Sequence, residues 1–164
     1  MENYQRKGSN SNKEVGDIFE EKVFKYFSDL NISLEKQKKI EIGINKKKAH
    51  AFDFGNNDIL IECKAQTWTE SENAPSAKLK NWSDAMFSFY LAPKNYKKLF
   101  FVERSYGQKH CKSLLEYFVE HYFYLIPDDV ILIDFYTENG NMDFYMYDEK
   151  QKIHVKNNNV DKLF

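Results

Sequence analysis

At residues 49–65 the chain reads AHAFDFGNNDILIECKA. Two apolar runs, at 51–54 and 59–65, flank a Gly-Asn-Asn-Asp segment that is typical of a tight turn. The segment therefore predicts a β-hairpin whose strands lie in the core of a sheet. Charges inside such strands cost free energy unless they are paired or hold a metal. Asp53, Glu62 and Lys64 therefore require an explanation.

Strand geometry predicts that these charges meet. Side chains alternate between the two faces of a strand, so Glu62 and Lys64 share one face. With a two-residue turn at 56–57, Asp53 pairs with Leu60 and becomes the diagonal neighbour of Glu62. A turn with an odd number of residues would place Asp53 on the opposite face. Two carboxylates and an ammonium group in one place suit a divalent metal beside a group that orients water.

These residues also carry a family resemblance. Phe52-Asp53, followed by Glu62-Cys63-Lys64 at the end of an apolar strand, resembles the PD-(D/E)xK nuclease superfamily, with Phe52 in place of the usual proline. The acid-x-Lys pattern recurs at 20–22 and 148–150. Only the copy at 62–64 lies in an apolar strand with an acid upstream in a paired strand.

The resemblance implies a set of roles. Asp53 and Glu62 would bind Mg²⁺, or Mn²⁺, and the backbone carbonyl of Cys63 would add a ligand. Lys64 would orient or deprotonate the attacking water. Hard divalent ions of this kind prefer oxygen ligands and keep several of their waters.

The first helix offers a further acid. Ser11-Asn12-Lys13-Glu14 has the form of a capping box, and apolar residues recur on one face at Phe19, Val23, Phe27 and Leu30. The spacing from Gly16 to Glu20 resembles the Gly-x-x-x-Glu signature found on the first helix of many members of the superfamily. Glu20 would then position Lys64 or a second metal; alternatively, it is a surface acid near a helix N-terminus.

Hydrophobic periodicity predicts the remaining elements. They are a strand within 33–44, a helix at 76–91, a strand at 99–102, a helix at 109–125, and a hairpin of strands 130–136 and 142–147. The order α-β-β-β-α-β-α-β-β predicts an α/β fold with a mixed central β-sheet flanked by helices. The resemblance implies a restriction-endonuclease-like core. Asp134 is predicted to face outward on a half-exposed hairpin.

The whole chain, 1–164, is predicted to form a single domain. Residues 1–10 are predicted to be flexible, and the polar segment 148–164 either docks on the body or frays. Hydrophobic residues make up 42% and charged residues 30%, which excludes a disordered chain. Cys63 and Cys111 do not indicate a disulfide framework, so an intracellular, cytoplasmic setting is expected. The sequence shows neither a signal peptide nor an apolar run long enough for a membrane.

Residues that could contact a substrate are less specific. The net charge of −1 is not that of a general nucleic-acid binder. A basic run could nonetheless contact phosphates, or form a solvated loop: Lys46, Lys47 and Lys48. Gln66 continues the face of Glu62 and Lys64 and either binds substrate or a water, or caps the strand end. The four histidines are scattered and lack zinc-ligand spacing.

Three functions are compatible with these features. The first is a metal-dependent endodeoxyribonuclease of restriction-endonuclease type, acting as a homodimer because cutting both strands of a duplex favours two-fold symmetry. The second is a structure-specific nuclease, such as a junction resolvase or a repair or phage-associated enzyme. The third is a catalytically silent binding module in which Asp53, Glu62 and Lys64 form a buried salt-bridge network.

Overall fold

A mixed β-sheet of seven strands organises the protein, whose computed structural model describes residues 12–163. The strands are β1 (Glu35–Ile42), β2 (Lys48–Gly55), β3 (Ile59–Lys64), β4 (Lys97–Glu103), β5 (Tyr106–Gly107), β6 (Lys112–Ser113), β7 (Val130–Phe135), β8 (Met142–Asp148) and β9 (Ile153–Asn157). The helices are α1 (Asn12–Asp29), α2 (Ser76–Leu91) and α3 (Leu114–Tyr122), with 3₁₀ turns at Phe123–Leu125 and Val160–Lys162. The predicted α/β class, with a mixed sheet flanked by helices, is confirmed.

The sheet has the strand order β1-β2-β3-β4-β7-β8-β9, and β5 and β6 form a separate two-stranded ribbon. β3, β4 and β7 are parallel, whereas the outer strands pair antiparallel. The three parallel strands are almost entirely apolar because helices cover both of their faces. Their carboxyl ends lie at one edge of the sheet. Polar side chains from several strands can therefore meet there.

Two hydrophobic clusters lie on the two faces of the sheet. α1 covers one face with its buried residues Phe19, Val23 and Phe27. α2 and α3 cover the other, where Trp82 packs edge-on against Phe118 with ring centroids 5.2 Å apart. Leu30, predicted on the apolar face of the first helix, is 44% exposed because the helix ends at Asp29.

Two stretches differ from their predicted form. The helix predicted at 109–125 begins only at Leu114, where the Ser113 side chain accepts a hydrogen bond from the N–H of Glu116 and caps it. Residues 109–111 instead belong to the turn between β5 and β6, and residues 112–113 form β6. The C-terminal segment docks: β9 pairs with β8, and Leu163 is completely buried. The predictions for residues 1–10 and for Ser11 lie outside the described residues.

The outward position predicted for Asp134 is wrong. Its strand, β7, lies between β4 and β8 and is covered on both faces, so Asp134 is fully buried. Arg104 donates a hydrogen bond to Asp134 Oδ2 at 2.8 Å. Burial raises the pKa of Asp134 to about 6, although Arg104 acts in the opposite direction. The alternation of polar and apolar residues does not reveal this pair, because its partners are 30 residues apart.

A buried ion pair lies at the amino ends of the parallel strands, opposite the edge where their carboxyl ends meet. Lys98 is fully buried in β4, and its Nζ donates to Asp129 Oδ2 at 2.7 Å and to the carbonyl of Ala92 at 3.2 Å. Asp129 precedes β7, so the pair joins the start of β7 to β4. Without Asp129, the ammonium group of Lys98 would remain buried with only a carbonyl partner.

We therefore expect Asp129→Ala to lower the free energy of unfolding by about 3 kcal/mol, since removing one partner of a buried pair leaves an uncompensated charge. Urea denaturation followed by circular dichroism measures this. The matched control is Asp128→Ala, whose side chain is 65% exposed and whose loss should cost about 0.5 kcal/mol or less. Equal losses for the two variants would contradict the structural role of the pair.

In residues 12–163, no helix combines the length and apolar character that a membrane crossing requires.

Candidate functional site

The central hairpin has a different register from the predicted one. Phe54 pairs with Ile61 and Gly55 with Leu60, so the loop contains the four residues 56–59 rather than two. Asn56 closes this loop, since its Oδ1 accepts hydrogen bonds from the N–H groups of the residues at 58 and 59, at 2.8 and 2.9 Å. The predicted two-residue turn was wrong. Because the shift is an even number of residues, extending the observed register places position 53 opposite position 62.

β2 also changes face at Asp53. Phe52 stacks on Phe89 of α2, with ring centroids 5.3 Å apart, whereas Phe54 contacts Phe24 of α1 on the other side of the sheet at 5.4 Å. Residues two positions apart share a face in a regular strand. The strand must therefore rotate at Asp53. In β1 the neighbouring residue, Gln37, has a φ of 55°, in the left-handed region.

This rotation gives the Asp53 carboxylate its position. The paired residues of β2 and β3 end at Phe54, and Asp53 Oδ2 accepts the backbone N–H of Cys63 at 2.8 Å. A side chain thus replaces the backbone carbonyl that a continuous ladder would supply. The carboxylate lies between the two strands, near the carboxyl end of β3.

Glu62 is the most buried acid of the group, with 6% of its surface exposed. Lys64 Nζ donates to Glu62 Oε2 at 3.2 Å, and His50 Nε2 lies 3.5 Å from Glu62 Oε1. These contacts place a nitrogen group on each oxygen of the carboxylate. They also account for the lowered pKa of Glu62, which burial alone would raise.

Glu20 reaches the same site from α1. Burial raises the pKa of Glu20, and the neighbouring Asp17 and Glu62 raise it further, while Lys64 acts in the opposite direction. Burial also raises the pKa of Asp53, to about 7, with Glu62 as the second cause. The pKa of Lys64 is raised by Glu62 and Asp53, which outweigh the effect of its burial. The four predicted catalytic residues thus share one electrostatic environment.

His50 was missed by the sequence analysis. It was treated as one of four scattered histidines, yet its ring packs edge-on against Phe52, with centroids 4.7 Å apart, and its Nε2 reaches Glu62. It lies three residues before Asp53, and residues an odd number of positions apart point to opposite faces of a regular strand, so simple alternation separates His50 from Asp53. The change of face at Asp53 leaves no periodic signal in the sequence.

The remaining predicted residues make other contacts. Gln66 Oε1 accepts a hydrogen bond from the Trp82 indole N–H at 2.6 Å, which attaches the end of β3 to α2. This bond favours the structural interpretation of Gln66. The basic run lies at the tip of the β1–β2 hairpin and is exposed: Lys46, Lys47 and Lys48. Cys63 is buried, and it contributes its backbone N–H to Asp53.

The carboxylates of the site suit a hard divalent cation that keeps several of its waters, rather than an ion enclosed entirely by protein ligands. Between residues 12 and 163, no three side chains of His, Cys, Asp or Glu are already grouped for one ion. Mg²⁺ typically uses one or two carboxylates and retains several waters. Asp53 and Glu62 could supply such carboxylates, and the raised pKa of Asp53 reflects a negative charge that the surroundings do not fully compensate. The residues therefore fit the implied ion.

Comparisons with protein-family models, with curated proteins and with solved structures returned no match. The functional assignment therefore depends on the residues of the site and on the resemblance of their motif.

The raised pKa of Asp53 predicts a pH dependence of stability in the metal-free protein. The folded protein holds this proton up to about pH 7, whereas an unfolded aspartate releases it near its ordinary value of about 4. The contribution of Asp53 to stability therefore falls as the pH rises from about 4 to about 7. Asp53→Asn removes this loss and keeps an oxygen that can accept the Cys63 N–H.

We expect Asp53→Asn to melt at a higher temperature than the wild type at pH 8 in EDTA, and the difference to shrink toward pH 4. Thermal denaturation across this pH range measures the effect. Asp58→Asn changes an exposed carboxylate in the same hairpin loop and is the matched control, which should not reproduce the higher melting temperature of Asp53→Asn. A difference for Asp53→Asn that stayed constant with pH would contradict the assigned burial of its charge.

Proposed function

We propose that this protein is a metal-dependent endodeoxyribonuclease with a restriction-endonuclease-like core. The observation that supports this most is the convergence of Asp53, Glu62 and Lys64 at the point where β2 separates from β3. Hydrolysis of a phosphodiester requires compensation of the phosphate charge and an activated water. A bound Mg²⁺ would offset that charge and lower the pKa of the attacking water.

Each residue of the site has a defined role in this proposal. Asp53 and Glu62 hold the ion, and the Cys63 N–H fixes the orientation of the Asp53 carboxylate. Lys64 has a raised pKa and is therefore an ammonium group at neutral pH. Of the two roles that the family resemblance implies for Lys64, this favours orienting the water and compensating charge over removing a proton. Glu20 positions Lys64 from the side of α1.

The substrate follows from the class of site. DNA is the proposed substrate, and a homodimer would place two such sites on the two strands of a duplex. A structure-specific nuclease would use the same residues on a branched substrate. Cleavage profiles on linear duplex, supercoiled plasmid, four-way junction, flap and RNA separate these possibilities.

We expect the wild type to cleave supercoiled plasmid in Mg²⁺, and Asp53→Ala and Lys64→Ala to lose at least about a hundredfold in rate, since each removes a group that acts on the transition-state charge. Gel electrophoresis of plasmid over time measures the rates. Circular dichroism of each variant establishes that it is folded.

Two matched controls test the specificity of this loss. Asp58→Ala removes an exposed acid from the same hairpin, and Lys150→Ala removes an exposed lysine from another acid-x-Lys copy, at 148–150. Both should cleave at the wild-type rate. Equal cleavage by the wild type, Asp53→Ala and Lys64→Ala would reject the assignment. Absence of both cleavage and calorimetric Mg²⁺ binding in the wild type would instead support the silent binding module.

A further inference from the structure

The hairpin of β1 and β2 concentrates positive charge. We call residues 35–55, which comprise β1, β2 and the loop 43–47, the basic ribbon. Between residues 35 and 48 it carries six lysines and two glutamates, a net charge of +4, whereas the whole chain has a net charge of −1. The positive charge of this ribbon is therefore local, because negative residues elsewhere in the chain offset it in the net charge.

The basic ribbon extends beyond the carboxyl end of β3, at the edge of the sheet that holds the acids. β2 runs antiparallel to β3, and extending the register of their paired residues, which end at Phe54 and Ile61, places Lys64 opposite position 51. Residues 48–50 and the loop therefore continue past the end of β3, the strand portion by about 10 Å at 3.3 Å per residue. The contact of His50 with Glu62 shows that this extension begins directly at the site.

The tip of the ribbon is exposed while its base is anchored. Phe52 stacks on Phe89 of α2, and Ile42, which pairs with Lys48, is buried in the same hydrophobic cluster. Residues 44–49 are all exposed, and Ile44 at the tip is 75% exposed. Lys47 Nζ donates to the carbonyl of Gly43 at 3.2 Å, which closes the loop on itself. The loop and the start of β2 thus form an exposed tip with positive charge and one apolar side chain, carried by two strands that are anchored in the core.

These dimensions and charges match one nucleic-acid surface. The major groove of B-form DNA is about 12 Å wide and admits a two-stranded β-ribbon. The corresponding groove of A-form RNA is too narrow for side chains to enter, and a single strand offers no groove. The exposed lysines at 46–48 would contact phosphates along the groove, where each contact releases counterions.

We propose that the basic ribbon inserts into the major groove of duplex DNA and holds a backbone phosphate of that duplex near the acids of the site. The commitment to B-form duplex deepens the proposed function and, for cleavage, rests on it. The binding itself does not depend on catalysis. It can therefore be measured in EDTA, where no cleavage occurs.

The test compares two double variants that remove the same charge. Lys46→Gln/Lys48→Gln acts on the ribbon, and Lys150→Gln/Lys152→Gln acts on the exposed turn between β8 and β9, which lies at the opposite edge of the sheet. Fluorescence anisotropy with a labelled 20-base-pair duplex measures affinity at several salt concentrations. We expect the ribbon variant to bind about tenfold more weakly and to lose about two units of salt slope. The control should bind within about twofold of the wild type.

Duplex RNA, single-stranded DNA and an acidic polypeptide serve as competitors, and we expect each to compete at least about tenfold less well than duplex DNA. Equal affinity of the two double variants, or equal competition by any of these three polymers, would overturn the ribbon assignment. Failure of this inference is distinguishable from failure of the proposed function. A ribbon variant that binds and cleaves like the wild type refutes only the inference, whereas cleavage that survives Asp53→Ala refutes only the nuclease.

Discussion

The site depends on the hydrogen bond from the Cys63 N–H to the Asp53 carboxylate. Where β2 leaves β3, the ladder can no longer satisfy this buried N–H, and an unpaired one would cost free energy. Asp53 supplies the missing acceptor, so the strands can separate without that cost. Glu62, Lys64 and Glu20 share the electrostatic environment of Asp53 at this point. The Asp53 side chain thus allows β2 and β3 to separate and lies at the point where they do.

The charges in this gap are balanced less completely than those elsewhere in the core. Lys98 pairs with Asp129, and Asp134 pairs with Arg104. Within residues 12–163, Asp53 makes no ion pair, and its pKa is raised to about 7 by burial and by Glu62. A purely structural network would gain stability from full pairing. An excess of buried carboxylate is instead what a site for an added cation requires, which is why we favour the nuclease over the silent module.

Regular patterns predicted much of this architecture, and irregular backbone limited the rest. Hydrophobic periodicity located α1, α2 and the central strands because each buries a continuous face. Asp53 and Glu62 influence each other electrostatically although the predicted register of the hairpin was wrong. The rotation at Asp53 could not be predicted, because it arises where β2 packs Phe52 and Phe54 on opposite sides. His50 was missed for the same reason, and Asp134 because its partner is distant in sequence.

The carboxylates of the site and the lysines of the basic ribbon lie in different segments, which allows an acidic site to act on a polyanionic substrate. The three carboxylates that are coupled electrostatically to Lys64 would repel a phosphate, and the net charge of −1 provides no general attraction. The net positive charge of the basic ribbon lies within a few strand residues of these acids, at the same edge of the sheet. Attraction by the ribbon falls off over a Debye length of about 10 Å at ordinary salt, so it acts only if the ribbon is adjacent to the site. The position of His50 against Glu62 satisfies this condition, because Lys48 lies only two residues before His50 on the same strand.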